Sequence, residues 1–372
     1  MPPLSVLIKP SSSNCNLRCN YCFYHSLSMQ REVKAYNMMD IDTLETIIKK
    51  ALDYAEGSCT FAFQGGEPTL SALDFYKHLV KIEEKYNTGK VKINNVLQTN
   101  GTLIDEKWAE FLHDNNFLVG ISLDGPKEIH DLNRVDVNNS GTYNEVMKTI
   151  DLFNKYKVEY NILSVVSSIS ARHGRKIYNF FKKNGFKYIQ FIPCLDPLDE
   201  KPGFRKYSLK PEAYGNFLVE VFNCWYEDFI KGEFVSIRYF DNILSMIMGY
   251  APEACGMSGT CSCEYIIESN AGVYPCDFYV IDQWKMGNLK EMDFHELSKS
   301  QVAKKFIEVS KHVDDKCIQC KWLNLCRGGC RRYREPFVNE KPAINYFCSS
   351  YKYFFDTCEN KLLELARLVS RR

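Results

Sequence analysis

This 372-residue sequence lacks a charge excess: 47 Lys and Arg stand against 46 Asp and Glu, a net of +1. Nothing in that balance recommends nucleic acid or an anionic membrane as a partner. Long hydrophobic runs are missing too; stretches such as Ile162–Val166 fall far short of the roughly 18 residues of a membrane span. The start, Met1-Pro2-Pro3-Leu4-Ser5, has no basic segment followed by an apolar one, so no secretory signal is expected. Low-complexity linkers and internal repeats are also absent. The expectation is a cytoplasmic monomer of two domains, from the usual size of about 150 residues each.

Cysteine is what the sequence has in excess, with 16 residues. A reducing cytosol leaves buried thiols or metal ligands as the main uses. Spacing separates the two. Cys15, Cys19 and Cys22 form one group; Cys255, Cys261, Cys263 and Cys276 a second; Cys317, Cys320, Cys326, Cys330 and Cys348 a third. Only Cys59, Cys194, Cys224 and Cys358 are isolated, and these read as core thiols.

Up to about residue 230, strand and helix patterns alternate. Strands are expected at Leu4–Lys9, Thr60–Gln64, Lys92–Gln98, Leu118–Ser122, Tyr160–Val166 and Tyr188–Ile192. Helices are expected at Ile41–Ala55, Ala72–Tyr86, Asp105–Asp114, Tyr143–Lys155, Arg172–Asn184 and Pro211–Ile230. Asp42 with Glu45, and Ser71 with Asp74, look like helix starts, while Gly57 and Gly185 look like stops. Short strands separated by helices imply a parallel sheet with right-handed crossovers. The fold class is therefore α/β, a partial (β/α)6 TIM-like barrel, in which function sits where strands end. Those ends are Cys15–Cys22, Gln64-Gly65-Gly66-Glu67-Pro68, Gln98-Thr99-Asn100-Gly101, Ser122-Leu123-Asp124-Gly125-Pro126 and Pro193-Cys194-Leu195. Each alone reads equally as turn chemistry; five together do not.

The pattern changes near residue 235, which sets expected domains of 1–235 and 236–372. Tyr265–Ser269 and Val273–Cys276 flank Asn270-Ala271-Gly272 as a hairpin, and Tyr351–Val369 closes the chain as a helix.

The loop Cys15-Asn16-Leu17-Arg18-Cys19-Asn20-Tyr21-Cys22 reads C-x3-C-x2-C. Three thiolates can hold three corners of an iron–sulfur cube and leave one iron open, whereas structural zinc wants four ligands. With Gly65-Gly66-Glu67 after strand two, this loop resembles the radical S-adenosylmethionine enzymes. In that family the open iron binds the amino and carboxylate groups of S-adenosylmethionine, and one electron releases a 5′-deoxyadenosyl radical. The resemblance implies that Cys15, Cys19 and Cys22 hold the cluster and that Tyr21 lies along the adenine. It further implies backbone from Gly66 for the methionine amino group, Ser122 for the ribose and Leu195 for the adenine. Arg134 would pair with the methionine carboxylate, a match of donor fork to carboxylate.

The run Cys317-x2-Cys320-x5-Cys326-x3-Cys330-x17-Cys348 resembles the SPASM extension of radical enzymes that modify peptides and proteins. By that resemblance Cys255, Cys261, Cys276 and Cys330 hold one auxiliary [4Fe-4S] cluster, and Cys317, Cys320, Cys326 and Cys348 a second. Cys263 remains an alternative to Cys261. Without the N-terminal loop, paired zinc sites would explain the same spacing.

Within the family, the short N-terminus, Cys19-Asn20-Tyr21-Cys22-Phe23-Tyr24 and Pro275-Cys276-Asp277 resemble the anaerobic sulfatase-maturating enzymes. These oxidise a Cys or Ser of a sulfatase to Cα-formylglycine. The resemblance implies S-adenosylmethionine and three [4Fe-4S] clusters as cofactors, and a sulfatase polypeptide with a Cys/Ser-x-Pro-x-Arg motif as substrate. An external one-electron reductant completes the set, with no nucleic acid and no membrane. Asp277 is the expected base, with Tyr24 and Gln64 near the substrate; a hairpin cap is the alternative role for Asp277. Another peptide maturase, for instance a thioether-forming one, is the second expectation, against which stand the mere 14 residues before Cys15.

Overall fold

Strands form where large apolar residues take every second position. In Ser58–Phe63, Cys59, Phe61 and Phe63 are fully buried and the residues between them are not. Each such Phe removed from water contributes roughly 1.5–3 kcal/mol. The structure, a computed structural model, describes residues 3–337 and 341–370.

The elements begin β1 (Leu4–Lys9), α1 (Phe23–Met29), α2 (Ile41–Tyr54), β2 (Ser58–Phe63), α3 (Ala72–Tyr86), β3 (Lys92–Thr99), α4 (Glu106–Asp114) and β4 (Leu118–Ser122). Next come α5 (Lys127–His130), α6 (Tyr143–Tyr156), β5 (Glu159–Val166), α7 (Gly174–Lys183), β6 (Tyr188–Pro193), α8 (Pro211–Ile230), β7 (Ser236–Ile237) and α9 (Arg238–Ile247). Then follow β8 (Ile266–Glu268), β9 (Gly272–Tyr274), β10 (Gly287–Asn288), α10 (Phe294–Ser298) and α11 (Gln301–Ser310). The last are α12 (Asp315–Ile318), α13 (Leu323–Cys326) and α14 (Cys348–Ser370). All six expected strands are present, and the βα alternation holds.

Two compact units interleave along the chain. The first runs to Ser122 and includes Arg134–Tyr160 and Cys263–Phe306. Its strands run β10-β9-β8-β1-β2-β3-β4, parallel from β8 to β4. The second comprises Leu123–Asn133, Asn161–Ser262 and the chain from Ile307. It pairs β5-β6-β7 in parallel and packs α8 on α14 through Phe222 and Phe354, with rings 5.4 Å apart.

Several local expectations are corrected. The cap of α2 is Asp40, whose carboxylate accepts the Thr43 N–H at 2.6 Å; Asp42 and Glu45 lie inside the helix. Ser71 is the N-cap of α3 as expected, though its side chain makes no cap hydrogen bond. Within the expected Asn270-Ala271-Gly272 turn, Ala271 lies in the left-handed region (φ +67°). Gly272 instead pairs with Asn288 in the ladder. Helix α14 starts at Cys348, three residues before the expected Tyr351. The parallel pairing of β8 on β1 joins segments far apart in sequence, which a local pattern does not announce. Among the described residues no helix is long and apolar enough to cross a membrane.

Candidate active site

Strand β1 delivers the chain to the first cysteine loop, and distant backbone fixes that loop. Arg18 N–H donates to the Val135 carbonyl at 2.8 Å, and Leu17 bridges Asp136. Cys22 N–H donates to the Cys19 carbonyl at 3.1 Å, and α1 begins one residue later. The Cys15 sulfur accepts the Leu17 N–H at 3.3 Å and the Asn100 amide at 3.8 Å. Cys15 opens to solvent on one side. Loss of water on its other sides lifts its thiol to about 12, the Leu17 N–H opposes this, and Glu67, Cys19 and Cys22 add to it. Desolvation also raises Cys22, against the N–H groups of His25 and Tyr24 and the charges of Arg134 and Lys9. Three neighbouring thiols, of which Cys15 and Cys22 are met by backbone N–H donors and Cys15 is repelled by the anions of the other two, are a donor set that suits a shared iron–sulfur cluster. The residues fit the group.

The Gly65-Gly66-Glu67 loop follows β2. Gly66 sits at φ +56°, where a Cβ would lie 2.1 Å from the Asn14 carbonyl oxygen. That carbonyl accepts the Glu67 N–H at 2.8 Å. Buried Glu67 accepts from Thr69 Oγ1 and Thr99 Oγ1, both at 2.7 Å, and from the Asn100 N–H, also at 2.7 Å. It therefore ties the ends of β2 and β3 together beneath Cys15. Ser122, buried at the end of β4, accepts from Gln98 Nε2 at 3.2 Å. The Arg134 guanidinium lies 5.6 Å from the Tyr21 ring centre, and both residues are buried. Tyr21, Gly66, Ser122 and Arg134 thus belong to the unit that holds the cysteine loop, while Leu195 is buried in the second unit.

Asp277 caps no helix through its side chain. Its Oδ2 accepts the Tyr24 hydroxyl at 2.5 Å and Gln64 Nε2 at 3.3 Å, and Gln64 Nε2 also donates to the Tyr24 oxygen at 2.7 Å. Asp277 Oδ1 is sealed from solvent and has no hydrogen-bond partner among the described residues. Desolvation lifts the Asp277 carboxyl, while Lys9 and the Tyr24 hydroxyl pull it back. Tyr24 stays protonated, its own value raised by desolvation and by the carboxylate it faces.

Beneath this trio is a buried ion group that sequence reasoning missed. Lys9 Nζ and Arg31 Nη1 both lie 3.2 Å from Glu268 Oε1, and all three side chains are almost wholly inaccessible. Lys9 Nζ sits 4.9 Å from the Tyr24 ring centre. The available signal was a lysine at the end of an apolar strand, which burial should exclude unless it is paired. Asn14, Glu67 and Asn100 were likewise visible only as loop punctuation.

In the second unit Gly256, beside Cys255, packs on Cys330, so that a Cβ there would lie 3.4 Å from Cys330 Cβ. Desolvation lifts the Cys330 thiol to about 12; the Arg332 N–H lowers it, and Cys255 and Cys261 raise it further. The structure also brings Cys317, Cys320 and Cys348 close enough to act on Cys326: desolvation raises Cys326 to about 11, and those three add to it. Cys276 and Cys263 belong to the first unit.

Residues 10–180 match the radical SAM superfamily, and residues 255–321 match an iron-sulfur cluster-binding domain, SPASM. The cysteine-type anaerobic sulfatase-maturating enzyme of Clostridium perfringens (strain ATCC 13124) is 52% identical over 99% of this chain and 100% of its own length. The serine-type enzyme of Bacteroides thetaiotaomicron is 32% identical over 95% of this chain and 89% of its own. The structure of native anSMEcpe with bound AdoMet and Cp18Cys peptide superposes with a TM-score of 0.95 at 50% identity, covering 99% of this chain and 100% of that one.

Proposed function

Because this chain belongs to the anaerobic sulfatase-maturating enzymes, radical S-adenosylmethionine proteins with a SPASM extension, we propose that Asp277, Tyr24 and Gln64 form its substrate-deprotonating centre. The enzyme oxidises a cysteine side chain of a peptide substrate to Cα-formylglycine. Cysteine rather than serine is supported by 52% identity to a cysteine-type relative against 32% to a serine-type one. The substrate is a sulfatase segment of the form Cys-x-Pro-x-Arg, an external one-electron reductant drives the reaction, and the enzyme acts as a monomer.

Bound S-adenosylmethionine would supply the radical that removes hydrogen from the substrate β-carbon, and the nearer auxiliary cluster would supply a one-electron acceptor. Cys15, Cys19 and Cys22 hold the radical-generating cluster. Arg134 takes the methionine carboxylate, Gly66 backbone the amino group, Ser122 the ribose, and Tyr21 with Leu195 the adenine. Cys255, Cys261, Cys276 and Cys330 hold one auxiliary cluster; Cys317, Cys320, Cys326 and Cys348 hold the other. In this division residues 1–235 are the barrel and 236–372 the extension.

Asp277 takes the proton of the substrate thiol. Tyr24 and Gln64 occupy Oδ2, which leaves Oδ1 as the accepting atom. Loss of that proton and one electron turns the β-carbon radical into a thioaldehyde, and water then displaces sulfide. The observation that carries this reading is the pairing of a doubly anchored Oδ2 with a partnerless Oδ1. The test is to incubate anaerobic, reduced enzyme with S-adenosylmethionine and a Cys-x-Pro-x-Arg peptide, and to weigh the product. Release of 5′-deoxyadenosine with a peptide of unchanged mass would refute it.

A further inference from the structure

Arg334 donates to backbone carbonyls that lead to Cys261 of one auxiliary set and to Cys317 of the other, and we propose that its fixed positive charge raises the reduction potentials of both auxiliary clusters. The proposal rests on the ligand sets given above. The turn Arg331–Arg334 follows Cys330 directly and buries Arg331, Arg332 and Arg334, the last only 3% exposed. The neighbouring arginines are anchored differently: Arg331 lies 4.9 Å from the Phe337 ring centre and its charge opposes that of Arg334, while Arg332 donates to the Asp196 carbonyl and its charge acts on Cys330.

Arg334 spends its donor fork on backbone. Nε donates to the Ala343 carbonyl and Nη1 to the Ser310 carbonyl, both at 3.3 Å, and Nη2 donates to the His312 carbonyl. Each of these anchors leads to a ligand. Ser310 Oγ accepts the Cys261 N–H at 2.8 Å. His312 precedes Asp314, whose carbonyl accepts the Cys317 N–H at 2.8 Å. Ala343 N–H donates back to the Arg334 carbonyl at 3.0 Å, in the segment that runs on to Cys348. Cys261 of one set and Cys317 of the other are both electrostatic neighbours of this guanidinium, and Asp314 is a carboxylate among them.

Among the described residues no carboxylate forms a salt bridge with Arg334. A buried guanidinium is expensive, because its hydration is lost, and its carboxylate neighbour Asp314 makes no salt bridge with it. Thiolate-ligated clusters are anions, and two of them beside Arg334 supply the missing compensation. Each gains one more negative charge on reduction, so a nearby cation favours the reduced form, more strongly where water is excluded. That direction makes both clusters better acceptors for the electron that leaves the substrate.

The test is an anaerobic redox titration followed by electron paramagnetic resonance. The parent is the full chain with Cys15, Cys19 and Cys22 replaced by Ala, so that only auxiliary clusters contribute signal. Arg334→Gln should lower the one-electron equilibrium constant of each cluster at least tenfold, a shift of about 59 mV to lower potential. Arg334→Lys keeps the charge and loses the fork, and should stay close to the parent. Unchanged potentials in Arg334→Gln with both clusters present would overturn the proposal. Equal shifts in both variants, or loss of iron from both, would make Arg334 a structural prop and overturn it as well. A parent with fewer than about eight irons per chain would instead break the ligand sets, a failure separable from that of the charge.

Discussion

In the first unit the Cys15–Cys22 loop is held mainly by backbone far along the chain, whereas in the second the Cys317–Cys326 stretch combines its own turns with side-chain anchors on α14, where Trp322 donates to Asp356 and Lys321 to Glu359, both at 2.7 Å. Val135, Asp136 and Asn100 hold the first loop, and Glu67 and Asn14 brace it from below. In the second, Cys320 N–H donates to the Cys317 carbonyl at 3.0 Å, Leu323 to Cys320 at 3.0 Å and Cys326 to Trp322 at 2.8 Å. Helices of four residues such as α12 and α13 have little stability alone. The first loop is therefore shaped by the sheet before any cluster enters. If the second holds a cluster as proposed, ligand bonds would add to the α14 anchors, so that metal binding there would also be folding free energy.

Removing each cysteine set separately is the strongest way to break that contrast. With Cys15, Cys19 and Cys22 all replaced by Ala, S-adenosylmethionine cleavage should vanish while two clusters and the melting temperature persist. With Cys317, Cys320 and Cys326 replaced by Ala, the melting temperature should fall by many degrees as iron is lost. Iron analysis beside calorimetry checks both. Equal destabilisation would show that the sheet does not shape the first loop.

Next in size is Asp277→Asn, which keeps shape and most hydrogen bonds but cannot accept a proton. A general base contributes roughly 10²–10⁴ in rate. Formylglycine should fall by that order while 5′-deoxyadenosine is still formed, since hydrogen abstraction needs no base. Iron content must match wild type, because a lost auxiliary cluster would imitate the uncoupling. If both products persist at wild-type levels, another group is the base.

Smaller again is Arg134→Ala, expected to weaken S-adenosylmethionine binding by about 1.5–3 kcal/mol through loss of a charge-assisted bond. Calorimetric titration of the cluster-loaded enzyme reads it directly. Unchanged affinity would leave Arg134 as the partner of Tyr21 and nothing more.

The legibility of the two regions in the sequence differed for the same reason that their anchoring does. Cysteine spacing is local, so both ligand runs stood out. The six strands were legible because their short apolar runs, alternating with open positions in strands such as β2, are also local. What was hidden depends on partners remote in the chain. Lys9 finds Glu268 only because β8 pairs with β1, and Glu67 finds Asn100 only because β2 lies beside β3. Tyr24 and Gln64 could be named near the site, but their convergence on one oxygen of Asp277 is a product of folding. The hairpin turn lies one residue earlier than expected, because Gly272 belongs to the ladder, where it pairs with Asn288, and Ala271 takes the left-handed conformation.

The smallest expected effect tests the scaffold behind the first loop. Strand β3 ends at Thr99, next to the Asn100 that reaches Cys15, and its Asn95 donates to buried Glu83 Oε2 on α3 at 3.0 Å. Glu83 Oε1 and Asn95 Oδ1 are sealed acceptors without partners among the described residues. Desolvation raises the Glu83 carboxyl to about 7, with the Asn95 amide opposing and Glu84 adding. A folded-state value above the unfolded one means that the native protein binds more protons between them. The stabilisation is thus complete below the unfolded value near 4.5 and is lost as pH rises through about 7. Glu83→Gln cannot ionise and keeps donors for the neighbouring oxygen. It should therefore match wild type near pH 5 and exceed it near pH 8 by about 1–2 kcal/mol, after discounting the shift for relaxation and residual water. Urea unfolding at the two pH values measures the difference. Parallel pH slopes in the two proteins would mean that Glu83 is already solvated in the folded state, and that the sheet behind Cys15 is looser than its burial suggests.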